Sequence, residues 1–333
     1  MIISRTPLRI SFTGGGSDIP VYYQKFGGAV ISTAINKYIY VNVNKKFDND
    51  IRVGYSKNEE VSTVAEIEHP LVRASMEYLG LEGGIEITTI ADIPSRGTGL
   101  GSSSSFTVGL LHALNAYLGR YISSEQLGSD SCHIEIERCR EPIGKQDQYA
   151  AAYGGFNLIK FNPDDTVVVS PIICKPETLS RIEVNTLIFY TGITRSASNL
   201  LKQQSIEVAE QTTKQEVMHR MVELTHDLAN ELQRDNIDSF GDILHENWLL
   251  KKSLTSGISN NNIDLWYEIA LQAGALGGKI LGAGAGGFLL IYALEESHVA
   301  IKKALKMLRL ISVSFDPLGS QIILTEQNKE GDR

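Results

Sequence analysis

Cysteine is scarce in this 333-residue chain, and the three present, Cys132, Cys139 and Cys174, are irregularly spaced. That argues against a disulfide framework or a zinc site and reads as reduced thiols in a cytosolic protein. A basic excess is also missing: Lys and Arg number 31 against 39 Asp and Glu, a net charge of -8. A nucleic-acid partner is disfavoured on electrostatic grounds, although a local basic patch can still hold a small anion. No apolar run approaches membrane-spanning length, and no cleavable apolar segment opens the sequence. Internal repeats and low-complexity tracts are absent as well. The expectation is a cytoplasmic protein with neither a membrane nor a nucleic-acid partner; its oligomeric state is not legible. Hydrophobic residues make up 42% and charged residues 21%, which suits two domains, or one large one, with real cores.

What the chain has in quantity is glycine loops. The central one is Pro94-Ser95-Arg96-Gly97-Thr98-Gly99-Leu100-Gly101-Ser102-Ser103-Ser104-Ser105. Ile85 to Ile90 before it alternates like a half-buried strand, and Phe106, Leu110, Leu111, Leu114, Tyr117 and Leu118 after it recur at helical spacing. Three alternate glycines let backbone turn tightly and approach a ligand. The free N–H groups and dipole of the first helical turn make an anion site. Four hydroxyls add donors and a hard-cation ligand. The combination suits a polyphosphate with Mg²⁺, while a flexible serine-capped loop accounts for these residues equally well.

The N-terminus reads as a strand, Ile2 to Phe12, carrying Arg5 and Arg9, with Pro7 marking an edge or break. Gly14-Gly15-Gly16-Ser17-Asp18 follows, where Asp18 offers acceptors to sugar hydroxyls or a cation. Alternatively, Ser17 or Asp18 caps a helix around Pro20 to Phe26. Val30 to Asn44 is β-like, Ile51 to Tyr55 is a short strand and His69 to Leu79 a helix. Ser123 to Gln126 opens a helix to about Arg140 that carries Glu135 and Glu137. Asp147, twelve residues beyond Glu135, can serve as a general base with Glu135 as metal ligand, although exposed acids are far more often solvated. Phe156 to Ile173 reads as a β-meander, and Ile182 to Tyr190 as a long strand opening a second domain. Arg195 at a helix start can clamp a substrate phosphate or lie on the surface. Helices fill Ala197 to Lys252 and Ile263 to Ala273. Gly282, Gly284 and Gly287 satisfy G-x-G-x-x-G, but a helix precedes and the strand Phe288 to Ala293 follows, the wrong order for a dinucleotide site. The chain closes with helix Glu295 to Leu310 and strands Ile311 to Phe315 and Ser320 to Leu324, which together with Ile182 to Tyr190 suggest an α+β sandwich.

Taken together, the loops resemble those of the GHMP small-molecule kinases (galactokinase, homoserine kinase, mevalonate kinase and phosphomevalonate kinase). Pro94 to Ser105 is similar to the family's P-x-x-x-G-L-G-S-S loop. Pro7 to Ile10 through Gly16-Ser17-Asp18 resembles its N-terminal motif, and Gly282 to Gly287 its C-terminal glycine motif. The pattern G-x-x-D-Q appears as Gly144 to Gln148. Gly15 and Gly16 replace the Glu and His of the galactokinase motif G-E-H-T-D, which argues against galactose. Arg5 to Phe12, Gly144 to Tyr149 and Tyr190 to Arg195 are similar to the bacterial D-glycero-D-manno-heptose 7-phosphate kinases.

The resemblance implies an α+β, two-domain GHMP kinase fold. A ribosomal-S5-like ATP-binding domain would occupy residues 1–180 and a ferredoxin-like domain residues 181–333. It implies ATP and Mg²⁺ as cofactors and a small-molecule sugar phosphate as partner. Asp147 and Arg9 would be catalytic. Gly97, Gly99, Leu100, Gly101, Ser102, Ser103, Ser104 and Gly284 would hold the nucleotide. Gly15, Gly16, Ser17, Asp18 and Arg195 would bind the substrate, and Ser103 and Glu135 the metal. The implied reaction is phosphorylation at C1 of the heptose 7-phosphate, toward nucleotide-activated heptose for surface polysaccharide. Alternatives are a fucose or N-acetylhexosamine 1-kinase, or a nucleotide-binding regulator without catalysis.

Overall fold

The computed structural model describes residues 1–93, 99–193 and 197–326. In chain order the first half runs β1 (Ile2–Thr13), α1 (Pro20–Phe26), β2 (Gly28–Lys45), β3 (Ile51–Gly54), β4 (Asn58–Val61), α2 (Pro70–Leu79), β5 (Ile85–Ala91) and α3 (Ser102–Tyr117). Then come α4 (Ser124–Cys132), a π-helical turn at His133–Arg138, α5 (Gln146–Tyr153), β6 (Phe156–Phe161), β7 (Val167–Pro171) and α6 (Pro176–Val184). The second half runs β8 (Thr186–Tyr190), α7 (Ala197–Glu210), α8 (Thr212–Gln233), α9 (Phe240–Leu254), α10 (Asn261–Gln272), β9 (Gly277–Ile280) and β10 (Phe288–Tyr292). It closes with α11 (Glu295–Ala304), β11 (Arg309–Ile311), β12 (Phe315–Asp316) and β13 (Gln321–Thr325).

Strand β2 is the hub. Its eighteen residues are rich in Ile, Val and Tyr, which pack well on a pleated, half-buried surface. β1, β5, β6 and β12 all pair with it, and β13 closes the far side of β1. Pro7 sits where the β1–β2 register shifts, beyond Arg5, the last residue paired with β13. Its missing N–H therefore costs no central ladder bond. Helix α3 lies against β1 through Gly109, where a Cβ would fall 2.7 Å from Thr6 Oγ1. The second sheet is antiparallel in the order β11-β8-β10-β9, and α9 packs on β9. Phe12 joins the two parts: its ring stacks on Phe156 at 5.4 Å and meets Phe240 edge-on at 5.3 Å.

Four sequence expectations need correction. Ile182 to Tyr190 is not one strand, because Ile182 belongs to α6, whose first turn carries Pro176 and Glu177. Proline at a helix start pre-sets φ and gives up an N–H that would be unpaired anyway. The glycine loop Gly282 to Gly287 is preceded directly by a strand, β9, and not by a helix, so the loop joins two antiparallel strands. The final strands do not sit beside β8: only β11 does, whereas β12 and β13 return to β2 and β1. Nor is there one α-helix to Arg140, because the turn at His133–Arg138 is π-helical and Cys139 N–H reaches back to the Ile134 carbonyl.

Candidate active site

The first glycine loop, the N-terminus of α3 and the start of α5 converge on a cleft of about 980 Å³. Arg9, Gly15, Gly16 and Asp18 line it from the N-terminal side. Gly99, Gly101, Ser102, Ser103 and Ser104 line it from the phosphate-type loop, and Glu135 and Asp147 from the turn and helix behind.

Arg9 is 2% exposed and ties the site together. Its Nε and Nη2 donate to Asp147 Oδ1 at 2.8 and 2.6 Å, its Nη1 donates to the Gly99 carbonyl at 2.7 Å, and its backbone N–H donates to the Leu100 carbonyl at 3.0 Å. One side chain therefore locks the glycine loop to the carboxylate. Asp147 Oδ2 takes no hydrogen bond among the described residues, and the side chain keeps 25% exposure within the cleft. Gly101 is the N-cap of α3 at φ 76° and supplies no side-chain cap, and a helix N-terminus of this kind attracts an anion.

Glu135 is fully buried at the π-helical turn. Ser103 Oγ donates to its Oε1 at 3.0 Å, Gln148 Nε2 donates to its Oε2, and Ser104 also bonds it. Burial raises its carboxyl to about 7 despite these bonds. Among the described residues no cation pairs with it. Hard oxygen donors around an uncompensated buried acid fit a divalent cation. Glu137 points elsewhere, pairing with His133 at the surface.

Asp18 has a structural task that the sequence did not show. Its Oδ1 accepts from Gly16 N–H at 3.0 Å and Gln146 Nε2 at 3.0 Å, and its Oδ2 accepts from Gln146 N–H at 3.1 Å. It therefore anchors the start of α5, the helix that presents Asp147. Burial, and then the neighbouring Asp147 charge, raise its carboxyl above the usual range.

Three expected residues sit away from the cleft wall. Ser17 Oγ exchanges hydrogen bonds with Ala29 N–H and C=O, each 3.0 Å, so it holds the loop and is not a cap, since Ile19 occupies the cap position of α1. Leu100 is buried and contributes its carbonyl to Arg9. Gly284 packs against Ile258, while Gly282 and Ala283 line the cleft in its place. Gly97 and Arg195, like Arg96 of the same loop as Gly97, lie outside the described residues.

Sequence reasoning missed the apolar end of the cleft, where Ile39, Leu71, Ala91, Ile93 and Phe106 converge from four elements beside His69. No local pattern marks them, because they come from separate segments that meet only in the fold.

The two glycine loops meet backbone to backbone. A Cβ on Gly99 would fall 2.2 Å from the Leu281 carbonyl, and one on Gly282 would fall 2.5 Å from the Gly99 Cα. Both glycines have positive φ, 74° and 77°. Gly282→Ala is expected to cost on the order of 3 kcal/mol in equilibrium urea unfolding, strain plus overlap. Gly80→Ala is the comparison: it has the same handedness (φ 70°) but nothing within 4 Å, and should lose only about 1 kcal/mol. Equal losses would show that crossing of the loops is not what demands glycine.

Comparison with known proteins now bears on this geometry. Residues 62–155 match the GHMP kinases N terminal domain and residues 228–309 the GHMP kinases C terminal domain. The D-glycero-alpha-D-manno-heptose 7-phosphate kinase of Campylobacter jejuni is 30% identical over 92% of this chain and 93% of its own. The chain belongs to the GHMP kinases.

A crystal structure described as a D-glycero-D-manno-heptose 1-phosphate kinase from Bacteroides thetaiotaomicron superposes on this GHMP kinase with a TM-score of 0.81 and 25% identity. The match covers 98% of this chain and all of that one. The L-fucokinase/L-fucose-1-P guanylyltransferase of Bacteroides fragilis is 27% identical over 92% of this chain, which spans 36% of that longer protein. The architecture is thus the two-domain GHMP kinase fold, and the activity is that of a sugar kinase, a phosphotransferase with ATP as donor. Among the described residues no helix is long and apolar enough to cross a membrane.

Proposed function

We propose that this GHMP kinase transfers the γ-phosphoryl group of ATP to the anomeric C1 hydroxyl of D-glycero-D-manno-heptose 7-phosphate. The product is the 1,7-bisphosphate, a precursor of nucleotide-activated heptose for surface polysaccharide. The observation that carries the reading is the Arg9–Asp147 pair, set in the cleft beside the open N-terminus of α3. The name of the Campylobacter relative supplies the sugar.

Phosphoryl transfer asks the protein for positioning and charge neutralisation more than for covalent chemistry. The first-turn N–H groups and hydroxyls of α3 receive the ATP phosphates, with adenine against the apolar wall around Leu71 and Phe106. The sugar lies over Gly15, Gly16 and Asp18. Asp147, through Oδ2, accepts the C1 hydroxyl proton while that oxygen attacks phosphorus. Arg9 holds Asp147 in place and offsets charge as it builds on the transferring group. Ser103 and Glu135 would hold Mg²⁺, which neutralises phosphate charge when bound. Residues 1–180 form the nucleotide-binding domain and residues 181–333 the second, except that β12 and β13 return to the first sheet.

Glu135→Gln is expected to raise the Mg²⁺ concentration giving half-maximal rate by about tenfold or more, because an amide is a weaker hard-cation ligand than a carboxylate. An unchanged Mg²⁺ titration would remove Glu135 from the metal site.

The similarity to a fucokinase favours one second reading, a fucose 1-kinase. The two heptose-linked relatives also carry names that differ in phosphate position. A panel of heptose 7-phosphate, unphosphorylated heptose, fucose and N-acetylhexosamines, scored by kcat/KM, separates the sugars, and ³¹P NMR of the product locates the new phosphate. The reading expects at least tenfold preference for the 7-phosphate and an anomeric product. Preference for fucose, a non-anomeric product or no ATP consumption would overturn it.

A further inference from the structure

Two buried lysines, Lys251 in the wall of the cleft and Lys279 behind Gly15 of that wall, take no part in the proposed chemistry. Lys251 lies on α9 and Lys279 on β9, 5% and 3% exposed. Lys251 Nζ donates to Gln204 Oε1 at 3.0 Å, and Lys279 Nζ donates to the Phe12 carbonyl at 3.2 Å. Among the described residues neither makes an ion pair. Lysine is almost never fully buried unless paired, because desolvating an ammonium is costly. Burial pushes Lys251 down to about 8 and Lys279 to about 7, and repulsion from Lys251 and Arg9 adds to the effect on Lys279. The nearby Asp18 favours the Lys251 charge, but its oxygens are held by Gly16 and Gln146.

An independent observation points to the same place. Gln204 is fully buried, and its Nε2 has no hydrogen-bond partner among the described residues. A buried donor without a partner costs about 1–3 kcal/mol, which a ligand can recover. Both donors converge on the first glycine loop. A Cβ on Gly16 would fall 2.6 Å from Gln204 Nε2 and 2.9 Å from Lys251 Nζ. One on Gly15 would lie 3.9 Å from both Lys279 Nζ and Ser11 Oγ. Gly16 has φ 105°, so any side chain there is strained as well as obstructed. The glycines thus leave clear the backbone surface that two ammonium groups, an amide and a hydroxyl approach.

We propose that Lys251, Lys279 and Gln204, gathered around Gly15 and Gly16, bind a phosphate ester that the sugar already carries when it enters. This rests on the sugar-kinase reading and deepens it by assigning the substrate's own phosphate a place. A phosphate dianion accepts charge-assisted hydrogen bonds and compensates both ammonium groups at once. A Cβ on Gly15 would lie 4.0 Å from Nε2 of Gln146, the neighbour of Asp147 in the chain, so the subsite adjoins the Arg9–Asp147 pair. A sugar with its anomeric oxygen at Asp147 extends its other end toward the lysines.

The test is Lys251→Met assayed on heptose 7-phosphate and on the same heptose without phosphate. The expected result is that the ratio of kcat/KM for the two sugars falls by about ten- to a hundredfold, the usual effect of losing a charged hydrogen bond. The KM for ATP should hold, and the variant should melt at or above the wild type because an apolar side chain suits the buried position. An unchanged ratio, or equal loss on both sugars, overturns the proposal, and equal loss would move Lys251 to the transferring group. If the wild-type enzyme shows no preference for the phosphorylated sugar, the heptose 7-phosphate reading fails on its own. The subsite is then decided by inorganic phosphate, with MgADP saturating the nucleotide loop. Phosphate should raise the Tm of the wild type and not of Lys251→Met. The same shift in both proteins overturns the subsite.

Discussion

Asp147→Asn is expected to leave ATP affinity within a few-fold of wild type and to lower kcat by about two to four orders of magnitude, the range for losing a general base. The geometry explains why the effect should fall on kcat. Asp147 Oδ1 is occupied by Arg9, and an asparagine oxygen can still accept those bonds. What changes is the group at Oδ2, where an amide cannot take a proton from the attacking hydroxyl. In the proposed reading the loop and first turn of α3 hold ATP, not the Asp147 carboxylate, so ATP binding should persist. Pre-steady-state measurement of the phosphoryl-transfer step, together with equilibrium nucleotide binding, checks both halves. Near-normal turnover would mean that Asp147 only positions Arg9. Loss of ATP binding along with turnover would mean that the substitution disturbed the loop.

Arg9→Met should be comparably severe, lowering kcat/KM by about a hundred- to a thousandfold, as does removal of a preorganised donor at developing charge. Arg9 reaches three partners at once: the Asp147 carboxylate, the Gly99 carbonyl and, through its backbone, the Leu100 carbonyl. Its planar fork serves two directions, which a single ammonium cannot, so Arg9→Lys is not expected to restore activity. The decisive comparison is a double-mutant cycle with Asp147→Asn. If the two residues act as one unit, the double variant should lose little more than the worse single variant. Fully multiplicative losses would show that Arg9 and Asp147 contribute independently. A lower Tm with unchanged kcat would reduce Arg9 to a structural tie.

The order of the three glycine loops was legible in the chain, because tight turns and close backbone approaches demand glycine wherever they occur. Gly99 and Gly282 show why: each sits at positive φ with no room for a Cβ. The acid at Asp147 could be found by its neighbours in the sequence, and Glu135 by counting back from it. The start of α6 was also written in Pro176 and Glu177, although the apolar run through Ile182 hid it. Strand β9 was harder to read, since glycine disfavours strands. It forms because β10 supplies the ladder and because Gly277 and Gly278 leave room for Gly241 and Leu290.

Other features existed only once distant segments met. The return of β12 and β13 to the first sheet depends on unpaired edges of β1 and β2 some three hundred residues earlier, which no local pattern encodes. The π-helical turn that places Glu135 against Ser103 brings together residues thirty-two apart, which no local pattern encodes. Nothing in the chain marks Lys251 or Lys279 as buried, because sequence shows a lysine's charge but not its burial. The chain by itself determined the family of chemistry, since glycine conformation and acid placement are local demands. Tertiary structure alone decided which charges lost their water, because desolvation depends on every element packed around a group.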